Sequence, residues 1–363
     1  MDNDVWKDKI EGMFLGIAIG DALGMPVEQW TLEEIKQQHG RVEDYLDPGN
    51  HKWFSGKLRK GMWTDDTQLT LVMAESLIAQ GKIDMKDLAK RHVKALEQTD
   101  VGWGGSTRDA VKRLQGGMSW VDSGFPCKPT TAGKPGYGMG NGVVMKIAPV
   151  AAYIAAHYEK PIQPRVSTGE LVEKQVEITC MTHHTRMAFS ATHAHTHAIY
   201  YCLRTHKGFS RAVFKMRVRM MSAMADRPIL DPGGFETDRF PDRMIELEKE
   251  DWTKKSAKEI SDAFGQGTSY VYNSLPFSYA FFLKAPDSIE TLYEVVSAGG
   301  DTDSNGSIVG GLLGALNGKS IFPKHPVDGL WQKDRILETA KKFCERFDAQ
   351  GEPDARPSED AQD

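Results

Sequence analysis

The chain has 363 residues, 40% hydrophobic and 26% charged, enough apolar material for a large core and an ordinary globular composition. A net charge of −5 and a pI near 6.1 give no sequence-wide attraction to nucleic acid or to anionic membrane surfaces, so both are disfavoured as partners. The cysteines, Cys127, Cys180, Cys202 and Cys344, lack CxxC spacing, which argues against a disulfide framework and a thiolate zinc site.

Apolar residues recur three and four apart over 5–19, 67–79, 84–97, 143–156, 171–201, 287–297 and 304–316, which predicts helices there; convincing alternating strands are absent, so the expected class is all-α. Thr31 with Glu34 and Asp287 with Glu290 resemble capping boxes, and Gly81, Gly208 and Gly318 follow apolar runs as expected helix terminators. No apolar run approaches the roughly 20 residues of a membrane span. The start, MDNDVWKDKI, is acidic with no signal-peptide stretch, so a cytoplasmic location is expected. No repeat or long linker divides the chain, which predicts one domain over 1–348, with 226–257 as a surface excursion and 349–363 as a disordered acidic tail.

Two carboxylate clusters, GMWTDDT at 61–67 and AGGDTDS at 298–304, each open a predicted helix. Taken singly, each reads as a helix cap, because Asp and Thr satisfy first-turn amides and suit the positive end of the dipole. A cap needs only one carboxylate, however, and adjacent acids repel unless something positive lies between them. Together, Thr64, Asp65, Asp66, Asp301, Asp303 and Ser304 offer the oxygen ligands that hard divalent cations take, enough for two Mg2+ or Mn2+ ions.

The stretch GKPGYGMGNG at 133–142 runs into an apolar helix start, where backbone amides can turn toward an anion such as a diphosphate; a plain surface turn is the competing reading. His193 and His197 lie four apart on one helical face without an HExxH pattern, so a structural role stands ahead of zinc. The basic run RAVFKMRVRMM at 211–221 reads as a solvated helix face.

In this order, GMFLGIAIGDALGMPVE, GMWTDDTQLTLVMAESL, GNGVVMKIAPVA, the Thr182-His183 pair and LPFSYAFFLKAPDSIETLYEVVSAGGDTDSNGSIVGGLLGAL resemble the ADP-ribosylglycohydrolase family over roughly residues 8–318. The resemblance implies a compact, orthogonally packed multi-helix domain with a binuclear magnesium or manganese cleft that removes ADP-ribose from a modified acceptor. Carried over by residue, Thr64, Asp65 and Asp66 form one half of the metal site and Asp301, Asp303 and Ser304 the other. Glu28 falls where the family has an acidic residue near the scissile bond, and it joins Asp65 and Asp303 as the catalytic set. Gly140, Asn141 and Gly142 fall in the phosphate loop, and His183 lines the same pocket. Tyr137 and, with less support, Trp103 offer rings that could stack on adenine. Asp21 supports the site or caps a helix, and a structural role is taken for it. Lys146 departs from the arginine frequent in relatives, and Val143 and Val144 from their smaller residues.

The activity so implied is metal-dependent hydrolysis of ADP-ribosyl-arginine, with an ADP-ribosylated protein as substrate, ADP-ribose as product and a cognate ADP-ribosyltransferase as a further partner. A serine or nucleic-acid-base acceptor, a non-catalytic ADP-ribose-binding module and an immunity protein stay open beside it, because acceptor contacts lie in variable loops.

Overall fold

The computed structural model describes residues 2–49, 56–125, 138–157, 168–206, 208–231, 236 and 238–348. Its helices are α1 (Asn3–Gly24), α2 (Leu32–His39), α3 (Asp65–Gln80), α4 (Met85–Gln98), α5 (Gly105–Gln115), α6 (Ala148–His157), α7 (Thr168–Thr182), α8 (Arg186–Arg204), α9 (Arg211–Met224), α10 (Phe240–Lys249), α11 (Ala257–Ala263), α12 (Val271–Lys284), α13 (Glu290–Val296), α14 (Thr302–Asn317), α15 (Lys324–Gly329) and α16 (Lys333–Arg346). Among the described residues the only β pairing is two isolated bridges, Thr31 with Gly299 and Gly140 with Tyr270, so the all-α expectation holds.

At the centre, α1 and α14 run antiparallel with their backbones in direct contact. Glycines every fourth residue on α1 meet glycines every fourth residue on α14. A Cβ on Gly16 would sit 2.0 Å from the Gly310 carbonyl oxygen, one on Gly20 2.1 Å from that of Gly306, and one on Gly314 2.0 Å from that of Gly12. Such close approach admits no side chain, and hydroxyls bridge the seam: Thr302 Oγ1 donates to the Gly24 carbonyl at one end at 2.8 Å and Ser307 Oγ to that of Ile17 within it at 3.1 Å. By length and composition α1 is apolar enough to cross a membrane, unlike the expectation from its sequence, but 94% of the qualifying window is buried inside the fold. Its apolar surface is used on α14 and the surrounding core.

Several elements form as the sequence implies. The Thr31–Glu34 capping box closes reciprocally, Gly81 ends α3 in the left-handed region, and Gly318 ends α14 with φ +79. Other boundaries differ. The run 171–201 is two helices, because Thr185 turns back to accept from the Ala188 amide and starts α8 afresh, leaving His183 at the break. The Asp287–Glu290 box does not form: Ser288 Oγ accepts from the Glu290 amide and α13 begins after Ile289. Gly208 does not end α8, which stops at Arg204 with Thr205 Oγ1 bonded to the Tyr201 carbonyl and Lys9 Nζ donating to the carbonyls of Cys202, Leu203 and Thr205.

Periodicity did not mark α12, which is apolar all round and carries Pro276 inside it. Proline has no N–H for the carbonyl four residues back, and Arg243 Nε supplies that donor to Tyr272 O at 3.4 Å. The segment 226–257, expected as a surface excursion, contains α10, whose Phe240, Met244 and Leu247 are buried with Trp252 in the main core. Their helical spacing was masked by the charged residues between them. Residues 349–363 lie outside the described residues.

The seam makes a sharp prediction. Gly310→Ala should lower the unfolding free energy by about 3 kcal/mol, at the upper end for overpacked sites, whereas Gly169→Ala, in open space on α7, should raise it by up to about 1 kcal/mol; urea titrations of both variants test this.

Candidate active site

The C-terminal end of α1 and the N-terminal end of α14 finish side by side, and the chemistry-bearing residues gather there. After α1 the chain makes one turn of 3-10 helix over Met25–Val27, entered at Pro26, and delivers Glu28. Its neighbour Gln29 has φ +64, a conformation uncommon outside glycine, held by two cross-links: Gln29 N–H donates to Gly300 O at 2.7 Å, and Gly300 N–H to Trp30 O at 2.9 Å. The loop bearing Glu28 is thus tied directly to the turn that bears Asp301 and Asp303. Gly300 itself has φ +81, and a Cβ there would lie 2.0 Å from Gln266 O, so both the dihedral and the space require glycine.

A cavity of about 310 Å3 lies between these segments, lined by Glu28, Asp65, Asp66, Asp301, Asp303 and Ser304 on one side and by Gly140, Asn141, Gly142 and His183 on the other. The structure therefore joins two carboxylate clusters that the sequence separates by more than two hundred residues. Ser304 Oγ donates to Asp66 Oδ2 at 3.3 Å, and Asn141 Nδ2 donates to Asp301 Oδ2 at 2.6 Å, a bond that links the glycine-rich loop to the acidic cluster. Thr64 stands apart: it does not line the cavity, and its hydroxyl is turned back to Asp21 at 2.8 Å. Tyr137 lies outside the described residues. Trp103 is buried, with its ring N–H donated to Gln68 Oε1 at 2.8 Å, so it packs in the core.

His183 is buried at the end of α7, with its ring against Gly142, where a Cβ would meet Cε1 at 2.9 Å. Thr182 Oγ1 lies 3.0 Å from His183 Nδ1 and accepts from Lys146 Nζ at 3.3 Å. Burial, reinforced by the Lys146 charge, lowers the His183 pKa to about 3, so the imidazole is neutral at physiological pH. Burial likewise lowers Lys146 to about 7. His193 and His197 sit elsewhere on α8: His193 Nδ1 is bonded to Gln175 Oε1, and neither lines the cavity.

Several lining residues were not singled out in the sequence: Gln29, Gly102, Gly104–Thr107, Met145 and Ser269. The signal for the first loop was present in VGWGGST, a second glycine cluster running into a helix. Gly102, at φ +87, passes so close to Asp65 that a Cβ would lie 2.2 Å from its Oδ1. The start of α5 has Gly104 at its cap and no capping side chain, which leaves first-turn amides facing the cavity side. Ser106 Oγ accepts from the Gly138 amide at 3.0 Å and so anchors the end of the other glycine-rich loop.

The electrostatics of the cleft are lopsided. Burial, followed by repulsion from Asp301 and Asp65, raises Glu28 to about 8; burial and then Asp21 raise Asp65 to about 8, with some relief from Lys146. Asp66 and Asp303 are pushed well above their ordinary range by the same causes, and burial raises Asp301. The residues fit a hard divalent cation on two observations. Glu28, Asp301 and Asp303 each place a carboxylate oxygen within 4.8 Å of the others, and Asp66 Oδ1 is buried with no hydrogen-bond partner.

Paired carboxylates around a polar cleft are the arrangement that hydrolases of the glycosidase type use. The chain belongs to the ADP-ribosylglycohydrolase family, whose model matches residues 2–353, and it is accordingly an ADP-ribosyl hydrolase. It is 24% identical to the ADP-ribosyl-[dinitrogen reductase] glycohydrolase of Rhodospirillum rubrum over 87% of this chain and 88% of that one. It is 25% identical to the ADP-ribosylarginine hydrolase Tri1 of Serratia proteamaculans, over 93% of this chain and 79% of that one. Among solved structures, an ADP-ribosylglycohydrolase-related protein complex shares the fold, with a TM-score of 0.63 and 23% identity over 94% of this chain and 99% of that one.

The raised carboxyls give a pH signature for protein kept in chelator. Glu28 and Asp65 hold protons in the folded state up to about pH 8, whereas their ordinary values are 4.5 and 3.8. Between about pH 4 and 8 these two carboxyls bind more protons folded than unfolded, so their own contribution to stability falls as pH rises; below about pH 6.5 the buried His92, His183, His193, His195 and His197, which burial lowers to about 3 or 4, act in the opposite sense. Measured in chelator between pH 6.5 and 8, the melting temperature of Glu28→Gln should lose the part of the pH slope that Glu28 supplies, rising relative to wild type as pH increases; parallel curves for the two proteins would contradict the charge balance described.

Proposed function

We propose that the enzyme hydrolyses the glycosidic bond between ADP-ribose and an arginine side chain of a modified protein, with two Mg2+ or Mn2+ ions held by Asp65, Asp66, Asp301, Asp303 and Ser304, Thr64 behind them and Glu28 beside them as the proton-transferring carboxyl. The observation that carries this reading is the convergence of five largely buried carboxylates on one cavity with no matching positive charge among them, an arrangement that carries a large electrostatic cost unless cations bind. Bound there, such ions supply fixed positive charge to hard oxygen donors and to the ribose oxygens of a substrate.

The chain's own groups then divide the work. Gly140–Gly142 and the uncapped start of α5 present backbone amides suited to the diphosphate, and neutral His183 packs beneath that loop. Asn141 holds Asp301 in place while spanning to the loop. Glu28 is the acid of the cluster with a partly open face. Burial first and like charges second push it to about 8, and neutralising those charges lowers it part of the way back, so it titrates across the range in which one carboxyl can protonate a leaving nitrogen and then take a proton from water.

The arginine acceptor rests on the similarity to the ADP-ribosylarginine hydrolase of Serratia, since the cavity residues themselves address ADP-ribose. A cytoplasmic location is proposed as well, with which the free thiols of Cys180, Cys202 and Cys344 agree.

Release of free ADP-ribose from matched arginine-linked and serine-linked substrates tests the reading. Arginine-linked substrate should be cleaved with Mg2+ or Mn2+ and not in chelator, Glu28→Gln should slow it about 10^2- to 10^4-fold, and Asp303→Asn should abolish it. Cleavage of the serine-linked substrate alone reassigns the acceptor; cleavage of either in chelator removes the metal assignment.

A further inference from the structure

Asp21 lies on α1, outside the cavity and fully buried, in none of the roles assigned above. Its carboxylate is the most heavily bonded acid near the site. The Thr64 amide donates to it at 2.9 and 3.0 Å, the Thr64 hydroxyl at 2.8 Å, the Thr67 amide at 3.1 Å and the Thr67 hydroxyl at 2.6 Å. These are the donors at the start of α3, which has no capping side chain of its own. Asp21 therefore caps α3 from another helix, across 43 residues of sequence.

Both oxygens of Asp21 only accept, Oδ1 from the Thr64 amide and hydroxyl and Oδ2 from the Thr64 amide and the Thr67 amide and hydroxyl, which is the bonding of a carboxylate. Asp21 is the leading charged neighbour of both Asp65 and Asp66, so its charge adds to repulsion in the cation-free cleft and becomes favourable only when positive charge enters. The Thr64 hydroxyl proton is committed to Asp21, which leaves its oxygen with lone pairs alone to offer.

We infer that Asp21 is a positioning residue: it fixes the first turn of α3 so that Asp65 and Asp66 face the cavity, orients the Thr64 hydroxyl as an acceptor, and strengthens cation binding without touching the cation. This rests on the cation reading of the site. The two roles separate on cation affinity. For Asp21→Asn, a cap and nothing more predicts unchanged affinity for Mn2+ even where the melting temperature in chelator falls. A positioning anion predicts affinity about 10- to 100-fold weaker, whatever the melting temperature in chelator does.

The experiment is Mn2+ titration of the full chain followed by electron paramagnetic resonance of the free ion, with melting in chelator in parallel. Wild-type protein that binds no Mn2+ overturns the cation reading and this inference with it. Wild-type binding with unaltered affinity in Asp21→Asn overturns the inference alone. Should Asp21→Asn not fold, Thr67→Val and Thr67→Ser decide: the valine, which deletes one donor to Asp21, should weaken Mn2+ binding about fivefold while the serine binds normally, and equal, undiminished binding by both overturns the role.

Discussion

The site depends on the contact between two backbones. Where α1 crosses α14, glycine faces glycine so closely that a methyl group would overlap a carbonyl oxygen. Side chains at a helix interface can change rotamer to absorb a shift, but a backbone in contact with a backbone has no such slack. The register between the two helices is therefore set in steps of one helical turn. The residues after Gly24 and before Thr302 inherit that register, and the paired amides of Gln29 and Gly300 carry it to Glu28 and Asp301. The distance between the isolated glutamate and the second acidic cluster is fixed by packing well away from the chemistry.

On this rigid corner the fold assembles charges that repel. Desolvation of each acid and the field of its neighbours act in the same direction, and the hydrogen bonds from Asn141, Ser304, Thr64 and Thr67 offset only part of the cost. The energy for gathering them comes from the large apolar core that surrounds α1, α12 and α14. Function in this protein is thus set against stability at one spot and supported by burial everywhere else.

How much of this was legible depended on whether the signal was local. A helix with one apolar face and a polar cap, such as α4, was readable because period and capping coincide. α12 was not, since a helix buried on all sides has no stripe, and its internal Pro276 reads as a breaker until Arg243 is seen to satisfy the freed carbonyl. At the site, the DD and DTD clusters announced themselves as too many acids for a cap. The placement of Thr64 behind the cavity was not legible, because which way a threonine hydroxyl turns depends on Asp21, a partner 43 residues away. The glycines of α1 were quoted as part of a motif, yet their four-residue spacing was the plainest long-range signal in the chain: it implies a partner helix with the same spacing, and α14 has it.

That pairing also shapes how the polypeptide reaches its native state. Gly24 and Thr302 are neighbours separated by 278 residues. At ordinary synthesis rates, roughly a quarter of a minute to a minute separates the emergence of α1 from that of its partner. Throughout that interval an apolar helix with the hydropathy of a membrane span lacks its principal covering partner. The nascent chain is then a natural client for holding chaperones, and the last stretch to be made closes the core and the cleft in the same event.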